Sequence, residues 1–203
     1  GGITMKKIVI ASNNAGKLRE FRAILEPFGL EVISQREAGF TEDVDETGTT
    51  FAENAALKAR AVFEKLHCPV IADDSGLMVD ALDGAPGVYS HRFAGENATD
   101  DDRNAKLLRE LENVPEAQRT AQFVCVLCYV NADGTEEQKF TGICEGRIGT
   151  QARGENGFGY DPLFYVNGIS MAEMTEAEKN QISHRGRALE QLKEYFENRS
   201  QSC

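Results

Sequence analysis

The sequence predicts an α/β protein built on a mixed sheet, and three observations carry that reading. From Lys6 to Ala72, short apolar runs alternate with segments whose apolar residues recur every three or four positions, so strands and helices take turns. From Gln122 to Cys144 the alternation stops. Two strand-like runs there flank Asn131-Ala-Asp-Gly134, a turn sequence that makes a long antiparallel hairpin. Helix starts are marked by threonines at 50, 99 and 175, each with an acid three residues on, the pattern of a capping box.

In chain order, Lys6–Ala11 reads as the first strand. The small polar loop Ser12-Asn-Asn-Ala-Gly-Lys17 follows, and then a helix with Leu18, Phe21, Ile24, Leu25 and Phe28 on its apolar face. Strand, small loop, helix is the arrangement that turns backbone N–H groups toward an anion. It is not a Walker loop, because Ala11 and Leu18 stand where that motif needs a glycine and a hydroxyl. A plain strand-to-helix connection is the competing reading. Glu31–Ser34 is a second strand, and Glu37–Thr50 is an acidic loop carrying Glu42, Asp43, Asp45 and Glu46. Phe51–Leu66 is a helix with Phe51, Ala55, Ala59, Val62, Phe63 and Leu66 inward. Pro69–Ala72 is a third, buried strand.

That strand delivers Asp73, Asp74, Ser75 and Gly76. Adjacent carboxylates at a strand end suit a divalent cation or a general base, against the plainer reading of an Asp-Ser-Gly turn. In an open α/β sheet, ligands gather at the carboxyl ends of strands, where Ser12–Lys17 and Asp73–Gly76 both fall, able to face one crevice. Gly84–Val88 is a turn-rich loop, and Gly84–Phe93 reads as scaffold and a candidate dimer surface. Asp100–Val114 is a helix with Leu107, Leu108, Leu111 and Val114 inward. The hairpin after it belongs either to the same sheet or to a second, β-rich lobe. Glu155-Asn-Gly-Phe-Gly-Tyr-Asp-Pro162 is a glycine-rich loop whose aromatic rings suit stacking on a flat base, or else plug a β-turn. A strand at Leu163–Val166, a short helix toward Lys179 and a final helix opening at Ser183-His-Arg-Gly186 complete the chain. Cations at a helix N-terminus oppose the dipole, so His184 and Arg185 suit an anionic or acceptor-rich ligand.

The composition sets bounds. At 203 residues, the chain holds one sizeable core or two packed lobes. A net charge of −11 argues against a nucleic-acid face, and requires any polyanion to be met by local Lys, Arg or metal charge. No apolar run is long enough to span a bilayer and no secretory signal opens the chain, which gives a cytoplasmic location. Gly1–Thr4 reads as a cloning remnant. Five cysteines, an odd number, do not form a disulfide framework. Cys125 and Cys128 sit on one strand three apart, hence on opposite faces, and read as core residues.

Taken together, Ser12–Lys17, Thr47-Gly-Thr-Thr-Phe-Ala-Glu-Asn54, Ala72-Asp-Asp-Ser-Gly76, Gly84-Ala-Pro-Gly87, Phe158-Gly-Tyr-Asp161 and Ser183-His-Arg-Gly186 resemble, in order and spacing, one enzyme family. It is that of the inosine or xanthosine triphosphate pyrophosphatases, which act on deaminated purine nucleotides. The resemblance runs from Met5 to about Phe196. It implies a single domain over 5–199, with an elongated central mixed β-sheet flanked by helices, two lobes with the active-site cleft between them, and a homodimer. It implies Mg²⁺-dependent hydrolysis of ITP, dITP or XTP to the monophosphate and pyrophosphate, with no nucleic-acid or membrane partner. Carried over by position, Ser12, Asn13, Asn14, Ala15, Gly16 and Lys17 cradle the triphosphate. Asp74 is the proton acceptor and a metal ligand, with Asp73 supporting it, and Ser75 touches substrate. Phe158, Gly159, Tyr160 and Asp161 hold the nucleoside, and Lys179, His184 and Arg185 the base and phosphates. The second metal ligand falls on Asp45, where the family usually has Glu, with Glu46 a neighbouring candidate.

Overall fold

The computed structural model describes residues 6–201, so Gly1–Thr4 and their assignment as a remnant lie outside it. One seven-stranded sheet runs in the order β2-β1-β3-β4-β5-β6-β7. Its strands are β1 (Lys6–Ile10), β2 (Leu30–Ser34), β3 (Val70–Val79), β4 (Thr120–Val130), β5 (Glu137–Ile148), β6 (Phe164–Val166) and β7 (Ile169–Ser170). The helices are α1 (Ala15–Leu25), α2 (Phe51–Leu66), α3 (Asp100–Glu110), α4 (Glu176–Ile182) and α5 (His184–Gln201). β1 pairs in parallel with β2 and with β3, whereas β5, β6 and β7 pair antiparallel, so the sheet is mixed as expected. Apolar strands buried on both faces suit the parallel part, and short turns suit the antiparallel part.

The chain divides into two compact units. The first comprises the residues up to Asp74, Val126–Thr141 and those from Arg187 onward; the second comprises Ser75–Cys125 and Gly142–Gly186. The first is a β-α-β-α-β start around Ile8, Val9, Ile10, Phe21, Leu25, Val62, Val70 and Ile71, all buried. Because β1 leads to β2 on one side and β2 crosses back to β3 on the other, right-handed crossovers send α1 and α2 to opposite faces of the sheet. The reversal makes a topological switch point where β1 and β3 meet.

The second unit packs Leu77, Val79, Leu107, Leu111, Phe123, Ile148, Leu163 and Phe164 into its own core. Arg119 is 3% exposed there, and donates to the carbonyls of Val114 (3.0 Å), Gly149 (2.9 Å) and Leu111 (2.5 Å). It ties the segment after α3 to Gly149, the residue that follows β5. Cys125 and Cys128 are both buried, as their strand positions require.

Three local expectations change. The third strand does not stop at Ala72; β3 continues through Asp73–Gly76 to Val79. β1 does stop, its pairing ending at Ile10↔Ile71, so the two acids lie past the end of β1 but inside a strand. Thr50 caps α2 by accepting from Glu53 N–H at 3.1 Å, yet the Glu53 carboxylate reaches the Thr49 N–H at 2.8 Å instead of closing the box on residue 50. The short strand β7 carries no periodic signal at two residues and was not anticipated.

Replacing Arg119 by Ala leaves the carbonyls of Val114 and Gly149 without their donor and takes one of two donors from that of Leu111, which keeps the Val114 N–H. We expect a loss of roughly 3 kcal/mol in urea unfolding, and an unchanged midpoint would show that water replaces the guanidinium without penalty.

Candidate active site

Within the first unit, the polar groups gather at the switch point. Ser12 Oγ accepts from Asn14 N–H (3.1 Å), and Asn14, in an extended conformation, caps α1 by accepting from Lys17 N–H (3.0 Å). The loop therefore closes on itself, and the N–H groups of the first turn point out of the helix end. Asn13 Oδ1 accepts from Arg36 N–H (3.1 Å), fastening the loop to the segment after β2. Lys17 reaches across to Asp73, with its Nζ 2.9 and 3.2 Å from the two carboxylate oxygens.

Strand alternation sends Asp73 and Asp74 to opposite faces. Asp73, 5% exposed, belongs to Lys17 of α1. Asp74 belongs to the α2 side, where Lys58 Nζ lies 3.9 Å from its Oδ1 and 2.8 Å from Glu46 Oε1. Asn54 hydrogen-bonds the Asp74 carboxylate and, through Oδ1, takes the Gly48 N–H at 2.7 Å. Asn54 and Lys58 are four apart on α2 and so present one face to the acids. Gly48 permits this approach, because a Cβ there would stand 2.7 Å from both Asn54 Oδ1 and Glu53 Cβ. The Thr47–Asn54 motif thus has a physical content: a close-approach glycine, a helix cap and a brace for the catalytic candidate.

Burial dominates the electrostatics of Asp74. It pushes the carboxyl from 3.8 up to about 6; Lys58 and Asn54 pull it down, while Glu46 and Asp73 push it further up. Burial also works against the charge on Lys58, but Asp73, Glu46 and Asp74 outweigh it and raise Lys58 above the ordinary lysine value. Asp74 Oδ2 is buried and meets no hydrogen-bond donor among the described residues. A carboxylate with one oriented oxygen and one open oxygen, beside a second carboxylate, has the donor set of a Mg²⁺ site completed by phosphate and water. The acid of the loop whose charge reaches Asp74 is Glu46; Asp45 is exposed and has no ion pair among the described residues.

Within the second unit, Glu155–Pro162 is a loop held at almost every residue. Asp161 Oδ2 accepts from Phe158 N–H (3.1 Å) and from Lys179 Nζ (2.5 Å). The Tyr160 ring is buried and its hydroxyl donates to Ser90 O at 2.6 Å, so Gly84–Phe93 is scaffold for this loop. Of the loop's two aromatic rings, that of Phe158 is thrown outward, 73% exposed, with Lys179 Nζ 4.6 Å from its ring centroid. His184 stacks on Phe123 (centroids 5.0 Å, interplanar angle 20°) at the start of α5, beside Arg185. Ser75 is exposed on β3. A cavity of about 820 Å³ in this unit, walled by Arg147, Gly149 and Tyr165 among others, contains none of these residues.

The comparisons decide the family. The model of the Ham1 family matches residues 8–195. The chain belongs to the Ham1 family. It is 54% identical over 195 residues to the dITP/XTP pyrophosphatase of Geobacillus kaustophilus (strain HTA426), covering 95% of each chain. It is 50% identical over 197 residues to the dITP/XTP pyrophosphatase of Bacillus subtilis (strain 168), covering 96% of this chain and 99% of that one. The Ham1 protein of Staphylococcus aureus superposes with a TM-score of 0.91 at 47% identity, covering 96% of this chain and 100% of that one. The α/β fold with its mixed sheet is therefore that of Ham1 structures.

The sequence singled out the two acids, the Ser12–Lys17 loop and the aromatic loop, and offered Asn54 only as part of a motif; Lys58, Asp100 and Asn104, which the structure sets against them, were given no site role. The i, i+4 spacing of Asn54 and Lys58 was an available signal; nothing in the sequence said which acids they would face.

Asp74 carries a stability prediction with a definite sign. Its folded pKa is raised, so ionising it costs stability, a penalty absent below pH 3.8 and full above about 6. In the presence of a chelator, Asp74→Asn should be more stable than the parent at pH 7.5, by at most about 3 kcal/mol and by less where water reaches the carboxylate. The gap should close toward pH 4. Thermal melts at the two pH values test this, and a gap of constant size would contradict the burial of the charge.

Proposed function

We propose that this chain hydrolyses deaminated purine nucleoside triphosphates (ITP, dITP and XTP) to the monophosphate and pyrophosphate, and so clears them from the cytoplasmic nucleotide pool. The observation that carries the reading is Asp74. It is a half-buried carboxylate with its pKa raised to about 6, braced by Asn54 and facing Lys58, in a chain that shares half its residues with dITP/XTP pyrophosphatases. A base poised near neutral pH is matched to accepting a proton from water.

In this mechanism, Asp74 accepts the proton of the attacking water, and Lys58 keeps the carboxylate anionic and oriented through the reaction. Lys17 and the N–H groups at the start of α1, within the Ser12–Lys17 loop, receive phosphate oxygens. Asp73 holds Lys17 in place for them. When bound, Mg²⁺ held by Asp74 and Glu46 would neutralise and orient the phosphates and stabilise charge as the phosphoanhydride opens. In the second unit, the roles we assign are stacking of the Phe158 ring on the base, with Gly159, Tyr160 and Asp161 setting the ring's angle, and contact with the nucleotide by Ser75. Lys179, His184 and Arg185 donate to acceptors of the base and phosphates. A 6-oxo purine presents an acceptor to such donors, whereas adenine presents a donor and leaves them unpaired. A homodimer is the assembly we propose.

Incubation with Mg²⁺ and ITP, XTP, GTP or ATP, followed by product identification, tests the activity. Monophosphate with pyrophosphate from ITP and XTP is the expected result. Orthophosphate with diphosphate, or binding without turnover, would overturn it. Asp74→Asn should lower kcat by about a thousandfold or more, and Lys58→Met by on the order of a hundredfold. Retained turnover in Asp74→Asn would remove it from the role of base.

A further inference from the structure

We propose that Asp100 and Asn104, one turn apart on α3, are positioning residues that clamp the Gly159 peptide and thereby pre-set the Phe158 ring for the base. The inference rests on the nucleoside role given to that loop above. Asp100 Oδ2 accepts the Gly159 N–H at 3.0 Å, and Asn104 Nδ2 donates to the Gly159 carbonyl at 3.1 Å. Both polar groups of one peptide unit's residue are therefore gripped from one helix face, as i, i+4 spacing allows. The Thr99–Asp102 sequence, read from the sequence only as a helix cap, supplies half of the grip.

The clamp is itself held. Arg103 Nη2 lies 2.5 Å from Asp100 Oδ1, and its Nη1 donates to His91 O (3.1 Å) and Ala98 O (2.9 Å). Gly159 has φ +62, and a Cβ there would meet nothing within 4 Å. The glycine thus serves backbone conformation and not space: a left-handed residue sends Phe158 out and Tyr160 in. With Phe158 N–H tied to Asp161 Oδ2, Tyr160 to Ser90 O and Asp161 to Lys179, the Gly159 peptide is the part of the loop whose remaining freedom would tilt the backbone that carries the Phe158 ring. The clamp removes that freedom before substrate arrives.

Asn104 is 8% exposed, and its Oδ1 is buried without a hydrogen-bond donor among the described residues. A purely structural demand at such a position favours a leucine of similar volume, which carries no unpaired acceptor. The amide makes sense through what its nitrogen does to Gly159.

The test compares the parent with Asn104→Leu, Asp100→Ala and Asp100→Asn, using ITP with Mg²⁺ as substrate and inorganic tripolyphosphate as a competitor that has no base. Asn104→Leu and Asp100→Ala should each raise KM for ITP about tenfold, the size expected when a binding loop must be ordered on association. Their kcat should stay within about twofold of the parent, because Asp74 and its partners are untouched. Asp100→Asn keeps an oxygen for the Gly159 N–H and should recover most of the parental KM. Tripolyphosphate inhibition should not change, and the Tm of Asn104→Leu should equal or exceed that of the parent. An unchanged KM in both Asn104→Leu and Asp100→Ala would overturn the clamp. So would a rise in KM matched by weaker tripolyphosphate inhibition or by a fall in Tm, since either means general damage. Phe158→Ala is run alongside: if it leaves KM unchanged while the parent hydrolyses ITP, the nucleoside role of the loop fails, and the clamp fails with it.

Discussion

Two neighbouring carboxylates must stay ionised where burial opposes it, and the architecture of the first unit follows from that requirement. A strand puts adjacent side chains on opposite faces, so no one lysine closes an ion pair with both acids, although the charge of Asp73 also acts on Lys58. The order β2-β1-β3 resolves this, because reversing direction across the sheet places α1 on one face and α2 on the other. Each helix then supplies one lysine: Lys17 to Asp73, and Lys58 to Asp74. The two ion pairs are not equivalent. Lys17 closes to 2.9 Å and neutralises Asp73, whereas Lys58 stands 3.9 Å from Asp74 and bonds Glu46 more closely. Asp74 is left ionisable but poorly solvated, the condition that raises a carboxyl toward neutral pH.

In the proposed function, the second unit would work by shape where the first works by charge. Its loop at 155–162 has one exposed aromatic ring and is otherwise anchored by Asp161, Tyr160 and the Gly159 peptide. The anchors reach secondary structure that is itself tied down, as Arg119 shows by satisfying three carbonyls from a buried position. A flat ring on a rigid support discriminates by where its neighbouring donors stand, which requires that neither ring nor donors move on binding. Lys179 meets that condition because Asp161 holds its ammonium 4.6 Å from the Phe158 centroid.

The legible parts of this chain were those with a local cause. Periodicity and threonine caps located the long helices and strands to within a few residues, because burial of one face and satisfaction of the first-turn N–H groups are both written in short windows. The mixed sheet was legible from the turn at Asn131–Gly134. The length of β3 was not: Asp73-Asp-Ser-Gly76 looks like a turn, and only pairing with a distant strand keeps it extended. In the same way, Asp74 was legible as a candidate from its motif, but its raised pKa depends on Lys58, Glu46 and Asn54, brought to it by the fold. That the charge of Glu46, rather than that of Asp45, acts on Asp74 likewise depends on how the loop is folded, which no window of sequence contains.

Under the proposed function, charge counting around Asp74 supplies the physical reason for a cation in the chemistry. Asp73, Asp74 and Glu46 contribute three negative charges at pH 7.5, and Lys17 and Lys58 two positive ones, so the cluster is net negative by one. Both ammonium groups are already engaged with carboxylates, in a protein whose total charge is −11. A triphosphate adds several more negative charges within a few ångströms, and like charges at that range in a poorly solvated site repel strongly. The two lysines alone leave that repulsion standing. A divalent cation held by Asp74 and Glu46 would reverse the local sign, and would draw on the Asp74 oxygen that meets no donor among the described residues. On the proposed function, the same acidic surround that would repel free phosphate in the absence of metal would make the site selective for a nucleotide that arrives with its cation.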